Sequence, residues 1–192
     1  MHGTKVVAGS TGPGGDLRRS RWRTVAWGSA AALLLVPLVA MQFTAEVRWG
    51  PLDFAAFGAM LAGALGTFEL AARRTADRAY LAAVALALAG AFLVVWANLA
   101  IGIVGGEDDP TNLMFFGVLA VGVVGALVGR FRPRGMAHAL VAMAIAQALA
   151  GVAALAVEPG PALVLTGLYV PLWLASAWLF RRSEAGASLR VW

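Results

Sequence analysis

Six apolar blocks in this chain alternate with short polar breaks, and the sign of the charge in those breaks alternates as well. Fourteen of the fifteen Lys and Arg residues lie in the two terminal tails or in the second and fourth breaks; only Arg48 lies in an odd-numbered break. The basic clusters are Lys5 with Arg18, Arg19, Arg21 and Arg23; Arg73, Arg74 and Arg78; Arg130, Arg132 and Arg134; and Arg181, Arg182 and Arg190. Since cationic segments beside hydrophobic spans stay in the cytoplasm, the pattern predicts six transmembrane helices with both termini inside.

The predicted fold is all-α, a polytopic bundle of six transmembrane helices. We expect the spans at about 25–43, 52–72, 79–103, 113–129, 136–157 and 162–180, each long enough to cross about 30 Å of hydrocarbon. Residues 24–182 would form the transmembrane domain, preceded by a flexible basic tail over 1–23 and followed by a short cytoplasmic tail over 183–192.

Composition argues against a soluble protein. The chain is 60% hydrophobic and 13% charged, with a mean hydropathy of +0.79, and six spans leave little of it outside the bilayer. The net charge of +5 lies in clusters beside the membrane, which favours anionic lipid headgroups over nucleic acid as the partner. Arg far outnumbers Lys and Ala and Gly abound, which indicates a GC-rich genome and hence a bacterial inner membrane.

The sequence does not supply the parts of common enzyme sites. It has no cysteine and two histidines, and neither G-x-S-x-G nor H-E-x-x-H occurs. The usual nucleophile–base mechanisms and mechanisms with metal-bound water therefore lack the residues that they need. We expect no enzyme, no cofactor and no resident metal.

Three helices that enter from the outer side share a start signal. Gly50-Pro51, Asp109-Pro110 and Gly160-Pro161 each place a capping residue before a proline, and proline is favoured at the first helical position. These pairs predict three helix starts.

An internal repeat is visible at an offset of 59 residues. The pattern P-x-[DN]-x3-F-G-x4-G-x2-G begins at Pro51 and again at Pro110, and Arg73 then matches Arg132. Because the offset covers two helices, the repeated units, 51–104 and 110–157, would run in the same direction across the membrane. In a chain this rich in Gly and Ala, chance accounts for part of the match.

Glu69 is the first candidate for an ion or proton site, because charged residues inside a membrane are costly. It shares a helix face with Gly58, Ala62 and Gly66, so its carboxylate would point into protein. The alternative, which the sequence favours, is an ion pair with Arg73 one turn further along the helix.

Asn98 is the second candidate. It shares a face with Ala87 and Gly90, where an amide usually forms a hydrogen bond across a helix interface. A place in an outward-facing site, close to Asn112, is the other interpretation.

Glu107, Asp108, Asp109 and Asn112 are the densest group of oxygen ligands. Such oxygens suit Ca²⁺ or Mg²⁺, but the spacing of a calcium loop is missing. The simpler interpretation is that Asp109 caps the fourth helix, that Asn112 lies in its first turn as Asp53 does in the second helix, and that the other two carboxylates are solvated.

Three segments between Trp96 and Met136, WANLA, EDDPTNLM and RFRPRGM, carry a resemblance. They resemble a group of uncharacterised bacterial multi-pass inner-membrane proteins with about six helices, in which W-x-N-L-A, E-[DN]-x-P-x-N-L-M and R-F-R-P-x-G-M recur. The resemblance covers about a fifth of the chain. It implies a bacterial membrane protein and transfers no activity and no site.

Two functions remain open from the sequence. The favoured one is a non-enzymatic accessory or structural protein, because a translocation path needs lining groups that this chain barely supplies. The alternative is a transporter or channel subunit for a small solute, a cation or a proton, which acts as an oligomer. Glu69, the acidic outer loop and the repeat favour this alternative. Either function is compatible with a homo-oligomer or a membrane-protein partner.

Overall fold

The computed structural model describes residues 13–44, 46–100, 102–104, 109–157 and 159–188, and within these ranges it is helical without a strand. The helices are α1 (Pro13–Phe43), α2 (Pro51–Arg74), α3 (Arg78–Ala100), α4 (Leu113–Val128), α5 (Pro133–Ala154) and α6 (Pro159–Ser188). A single 3₁₀ turn, Pro110–Asn112, leads into α4. The predicted all-α architecture is confirmed.

Six helical segments are long and apolar enough to cross a membrane, as predicted. They are Arg21–Phe43, Pro51–Arg74, Arg78–Ala100, Pro110–Val128, Pro133–Ala154 and Leu163–Gly186. The helices α1, α2, α5 and α6 extend into polar sequence beyond the predicted spans, whereas α3 and α5 end three residues before the predicted limits of 103 and 157. Hydropathy marks where a helix can meet lipid, whereas backbone hydrogen bonds extend a helix as long as no residue breaks it.

Both terminal helices are longer than the predicted spans. α1 begins at Pro13, so residues 13–23 of the predicted flexible tail are helical, and α6 continues to Ser188. Residues 1–12 and 189–192 of the two predicted tails lie outside the described residues.

The three predicted helix starts have different outcomes. α2 begins at Pro51, and Asp109 caps the 3₁₀ turn that begins at Pro110, as expected. α6 instead begins at Pro159, before the predicted Gly160-Pro161 start, which was wrong by two residues. Pro161 is tolerated because it lies in the first turn, where a backbone N–H has no partner within the helix.

The chain divides into two compact units, residues 1–65 and 66–192, with the division inside α2. In the first unit, Leu34 of α1 lies against Gly58 of α2, with 3.5 Å between Leu34 Cδ1 and the position of a Cβ at Gly58. Trp49 packs edge-on against Phe54 and Phe57, with ring centroids 5.3 Å apart in each pair. The first unit thus holds its α1–α2 connection with aromatic contacts.

In the second unit the helices pack in the order α4, α5, α6, α3. Close approach of backbones at glycines sets these contacts, since small residues let neighbouring helices meet. Gly125 of α4 faces Ala139 of α5, and Gly151 of α5 faces Thr166 of α6. Gly90 of α3 faces Trp173 of α6. Each neighbouring pair in this order is therefore in direct side-chain contact.

The inner face of α6 follows a spacing of three and four residues. It consists of Thr166, Tyr169, Trp173, Ser176, Phe180 and Ser183. This is the seam spacing of a helix that packs between partners. Five of the six are buried, and the hydroxyl oxygen of the sixth, Thr166, is buried as well. The seam of α6 is therefore the centre of the second unit.

The basic segments of the second unit meet at one end of the bundle, which we call the arginine-rich end. Tyr80 near the start of α3 donates a hydrogen bond of 2.9 Å to the Phe131 carbonyl in the α4–α5 turn, and its ring packs against Phe180 of α6. Arg134 of α5 forms an ion pair with Glu184 of α6. The α3–α4 loop lies at the opposite end of this unit.

Two consecutive non-glycine residues in the α4–α5 turn adopt the left-handed conformation. Arg130 has a φ of 51° and Phe131 a φ of 55°, which costs about 1–2 kcal/mol per residue. The Phe131 N–H donates to the Ala126 carbonyl, and Tyr80 binds the Phe131 carbonyl. These hydrogen bonds and the close contact of Gly129 with Gly135 hold the reversal in place.

We expect Gly90→Ala to destabilise the protein by about 1–3 kcal/mol, because a methyl group there overpacks the core. A Cβ at Gly90 would lie 2.5 Å from Leu172 Cδ2 and 2.8 Å from the Trp173 ring. Gly117 is the matched control, since its Cβ position has open space, and Gly117→Ala should be neutral or stabilise by up to about 1 kcal/mol. Unfolding in mixed micelles with increasing SDS measures both; equal free energies of unfolding would contradict the packing argument.

Candidate functional site

Asn112 ties the α3–α4 loop to the start of α4. Its Oδ1 accepts hydrogen bonds from the backbone N–H groups of Ile103 and Val104 at 2.9 and 3.0 Å, and its Nδ2 donates to the Val104 carbonyl at 3.1 Å. The side chain is buried and caps no amide of α4. Asn112 lies at the start of α4, as predicted, but its side chain binds the backbone at 103–104 rather than the free amides of the helix, because buried backbone groups need hydrogen-bond partners.

Asp53, to which Asn112 was compared, does serve its own helix start. Its Oδ2 accepts a 2.7 Å hydrogen bond from the Gly50 N–H, while the Gly50 carbonyl accepts from the Asp53 N–H at 3.1 Å. The bond from the Gly50 N–H to the Asp53 carboxylate is one half of a capping box; the other half is missing because Gly50 has no side chain. The two matching positions of the repeat pattern thus have different hydrogen-bonding partners.

Asp109 is a half-buried cap. Its Oδ1 accepts a 2.8 Å hydrogen bond from the Thr111 N–H, and its backbone is extended, as at a helix start. Hydrogen bonds from the Thr111 side chain and backbone lower the pKa of the Asp109 carboxyl. The charge therefore favours the folded state above the carboxyl's ordinary pKa, and this contribution is lost as the pH falls through the lowered value.

The other two members of the predicted outer group, Glu107 and Asp108, lie outside the described residues. Within the described ranges, no group of three His, Asp or Glu side chains is arranged to hold a metal ion. The hydrogen bonds of Asp109 and Asn112 show their structural roles. The joint role of all four residues as an ion site stays a prediction.

Asn98 is buried in α3, near the end that carries Asn112. Its Nδ2 donates to the Val94 carbonyl of its own helix at 2.8 Å, whereas its Oδ1 has no hydrogen-bond partner. The expected hydrogen bond across the helix interface is thus not made by this oxygen. Asn98 keeps an open acceptor inside the bundle.

Glu69 is buried and paired with Arg73. Arg73 Nη2 donates to Glu69 Oε1 at 2.5 Å, and the Arg73 side chain is 62% exposed whereas that of Glu69 is 10% exposed. The neighbouring Phe68 and Ala71 pack against the core of the second unit. The carboxylate therefore lies on an inward face, as predicted, and its charge is compensated within the same helix.

The structure separates the candidates into two places. Asn98, Asp109 and Asn112 lie toward one end of the second unit, around the α3–α4 loop. Glu69 lies on α2 close to the beginning of α3, which is the arginine-rich end. The described candidates therefore do not form one site.

A further set of polar groups lies deep in the second unit, and none of its members is among the predicted site residues. Gln147 of α5 is fully buried, and both its amide nitrogen and its amide oxygen lack a hydrogen-bond partner. The same holds for Thr166 Oγ1 and Trp173 Nε1 of α6. The alanines around Gln147 hide its orientation in the sequence, but the three-and-four spacing of α6 could have revealed Thr166 and Trp173.

Two other polar atoms of the seam do have partners. Ser176 Oγ donates to the Ala83 carbonyl of α3 at 2.8 Å, and Ser183 Oγ donates to the Phe180 carbonyl at 3.1 Å. The open polar atoms of the seam, Thr166 Oγ1 and Trp173 Nε1, therefore lie in the part of α6 that is farther from the arginine-rich end.

No protein-family model, curated protein or solved structure matches this chain. Its function therefore has to be inferred from its own residues and contacts.

We expect Asn112→Ala to lower the free energy of unfolding by about 2 kcal/mol, because two buried N–H groups lose their acceptor. Hydrogen exchange at the Ile103 and Val104 amides should rise in the same variant. Leu113→Ala is the neighbouring control, because Leu113 is exposed and holds no loop amide; exchange at 103 and 104 should stay unchanged there. Unaltered exchange in Asn112→Ala would refute the anchoring role.

Proposed function

We propose that this chain is an integral membrane protein of the bacterial inner membrane with a non-enzymatic accessory or structural role. One observation carries the proposal: Glu69, Asp109 and Asn112, the described candidates with the strongest ligand oxygens, already make hydrogen bonds within the protein. Glu69 is bound by Arg73, Asp109 by Thr111 and Asn112 by the 103–104 backbone. Groups used in this way favour a stable bundle over an ion path.

The outer surfaces of the helices support the membrane part of the proposal. α4, for example, exposes an almost continuous apolar surface, formed by Leu113, Val121, Val123, Val124, Leu127 and Val128. Large exposed apolar surfaces are unfavourable in water but stable against lipid tails. A bilayer, a second copy of the chain or another membrane protein could cover them.

The proposed orientation has both termini in the cytoplasm. It rests on the distribution of Arg, and the meeting of α3, α5 and α6 at the arginine-rich end supports it, because the Arg clusters at 130–134 and 181–182 then face the same leaflet. We propose that these arginines bind anionic headgroups, at about 1 kcal/mol each near the surface. Trp178 adds an interfacial ring, over which the Arg182 guanidinium stacks at 3.7 Å.

The parallel repeat is also part of the proposal. It would explain why Pro51 and Pro110 both stand at the start of a span and why each repeated helix is followed by an Arg-rich break. The different roles of Asp53 and Asn112 would then have arisen after the duplication.

The alternative function is a small-solute, cation or proton transporter or channel subunit. The observation in its favour is Gln147, a fully buried amide without a partner near the middle of a span. Unpaired polar groups inside a membrane are costly and are often functional. The seam carries no charged side chain, however, which favours an uncharged solute over an ion.

Labelling of single cysteines tests the orientation, since the chain has no cysteine of its own. Glu46 and Arg132 are both exposed. We expect a membrane-impermeant maleimide to label Glu46→Cys in intact spheroplasts and Arg132→Cys only after permeabilisation. The reverse pattern would mean that the chain is inserted with its termini outside.

Ion flux into proteoliposomes separates the two functions. We expect pH-sensitive and cation-sensitive dyes to give the same flat trace for the wild type and for Glu69→Gln, because Arg73 occupies the carboxylate. Asp53→Asn, which alters a capping carboxylate, is the matched control. Flux through the wild type that disappears in Glu69→Gln and persists in Asp53→Asn would overturn the accessory role in favour of transport.

A stoichiometric partner is the positive sign of the accessory role. Extraction in native lipid discs should retain a second membrane protein at a fixed ratio to this chain. If the chain is extracted alone, in one oligomeric state, the accessory role is contradicted and only a structural role without a partner remains.

A further inference from the structure

The open polar groups of the second unit lie at neighbouring levels of the same bundle. Contacts between antiparallel helices give the levels: Gly151 faces Thr166, and Arg134 faces Glu184. One turn along α5 from Gly151, about 6 Å, brings Gln147 opposite the turn of α6 that contains Tyr169. Gln147 thus lies between the levels of Thr166 and Trp173.

The other two helices close the same level. Gly122 of α4 faces Met143, so Val118 lies opposite Gln147, one turn away. Gly90 of α3 faces Trp173, so Val94 lies opposite Tyr169. Both valines are buried and apolar. The amide of Gln147 therefore has apolar neighbours from α3 and α4 and polar ones along α6.

The open atoms provide both donors and acceptors. The Gln147 amide and the Thr166 hydroxyl supply both, and Trp173 Nε1 supplies a donor. Asn98 Oδ1 adds an acceptor on α3, toward the same end as Thr166. No charged side chain occurs between Val94 and Asn98, in α4, between Met143 and Gly151 or between Thr166 and Trp173. Such a set suits a neutral ligand that donates and accepts hydrogen bonds.

Close packing on both sides limits the size of the ligand. Toward the α3–α4 loop, the backbone of Gly151 meets the Thr166 side chain, so that a Cβ would collide with Thr166 Oγ1. Toward the arginine-rich end, the Trp173 ring lies 2.8 Å from where a Cβ of Gly90 would be. These contacts leave no room for a large ligand at this level. Buried water, which typically makes about three hydrogen bonds to polar groups, meets both conditions.

We propose that Gln147, Thr166 and Trp173 form an internal binding site for water between α5 and α6. The bound water satisfies the amide of Gln147 and links the two helices at a level where they make no direct polar contact. The site is independent of the proposed accessory role, because it would be present in a transporter as well.

Hydroxyl-radical labelling by X-ray radiolysis of the full chain in nanodiscs tests the site. Radicals form from water, so a fully buried side chain is oxidised only if water lies beside it. We expect oxidation of Trp173, which is 0% exposed, and none of Phe180, which is equally buried but has no open polar atom beside it. Tandem mass spectrometry resolves the two positions.

Substitution of the polar groups should dry the site. Gln147→Met keeps the length of the side chain and removes the amide; we expect oxidation of Trp173 to fall about tenfold, since the water loses its partners. Leu149→Met on the exposed side of α5 is the control and should leave the rate unchanged. If Gln147→Met does not fold, Thr166→Val, which keeps the shape and removes the hydroxyl, gives the same comparison.

The outcomes divide cleanly. Oxidation of Trp173 in the wild type that falls in Gln147→Met or Thr166→Val supports the water site. The proposal is overturned if Trp173 is not oxidised in the wild type, or if both variants show the same oxidation of Trp173 as the wild type. Native mass spectrometry covers the other source of this hydrogen-bonding chemistry: a small organic molecule that stays bound to the wild type and is lost in the variant would replace water as the ligand and overturn the proposal.

Discussion

The close approach of α6 to α3 and α5 is the contact on which the second unit depends. Lipid tails are as apolar as the helices, so burial of apolar surface adds little, and the helices associate through fitted packing and internal hydrogen bonds. Gly90 and Gly151 admit the side chains of Trp173 and Thr166, and Ser176 adds a hydrogen bond to the α3 backbone. A larger residue at either glycine would collide with these side chains.

The same constraint governs the polar groups. Inside a membrane a backbone amide or a carboxylate has to be satisfied within the protein, and most of the polar side chains described here serve that need. Asp53 and Asp109 bind amides at helix starts, Asn112 binds a loop, and Arg73 compensates Glu69. Gln147 of α5 and the seam residues Thr166 and Trp173 of α6 depart from this rule, since their open polar atoms are buried and have no hydrogen-bond partner in the chain. These residues therefore form the part of the bundle most suited to hold something else.

Different interactions stabilise the two ends of the second unit. At the arginine-rich end, Tyr80 holds the strained turn that contains Phe131, and Arg134 pairs with Glu184. At the other end the amide of Asn112 binds the backbone at 103–104, and Asp109 caps the turn that leads into α4. A cationic end can remain among anionic headgroups, whereas the buried backbone at 103–104 requires hydrogen bonds from within the protein. The difference agrees with the orientation proposed from the Arg clusters.

The sequence by itself determined the number of spans, most of their limits and two helix starts, because hydropathy, proline and capping residues act locally. It also indicated the inward face of Glu69 and its pairing with Arg73, which are fixed by position on one helix. It did not show that the Asn112 side chain binds the loop backbone, or which neighbours surround Gln147, and only the tertiary structure decided these. The reason is physical: the partner of Asn112 is the backbone at 103–104, and the surroundings of Gln147 come from three other helices. No spacing along α4 or α5 encodes such contacts.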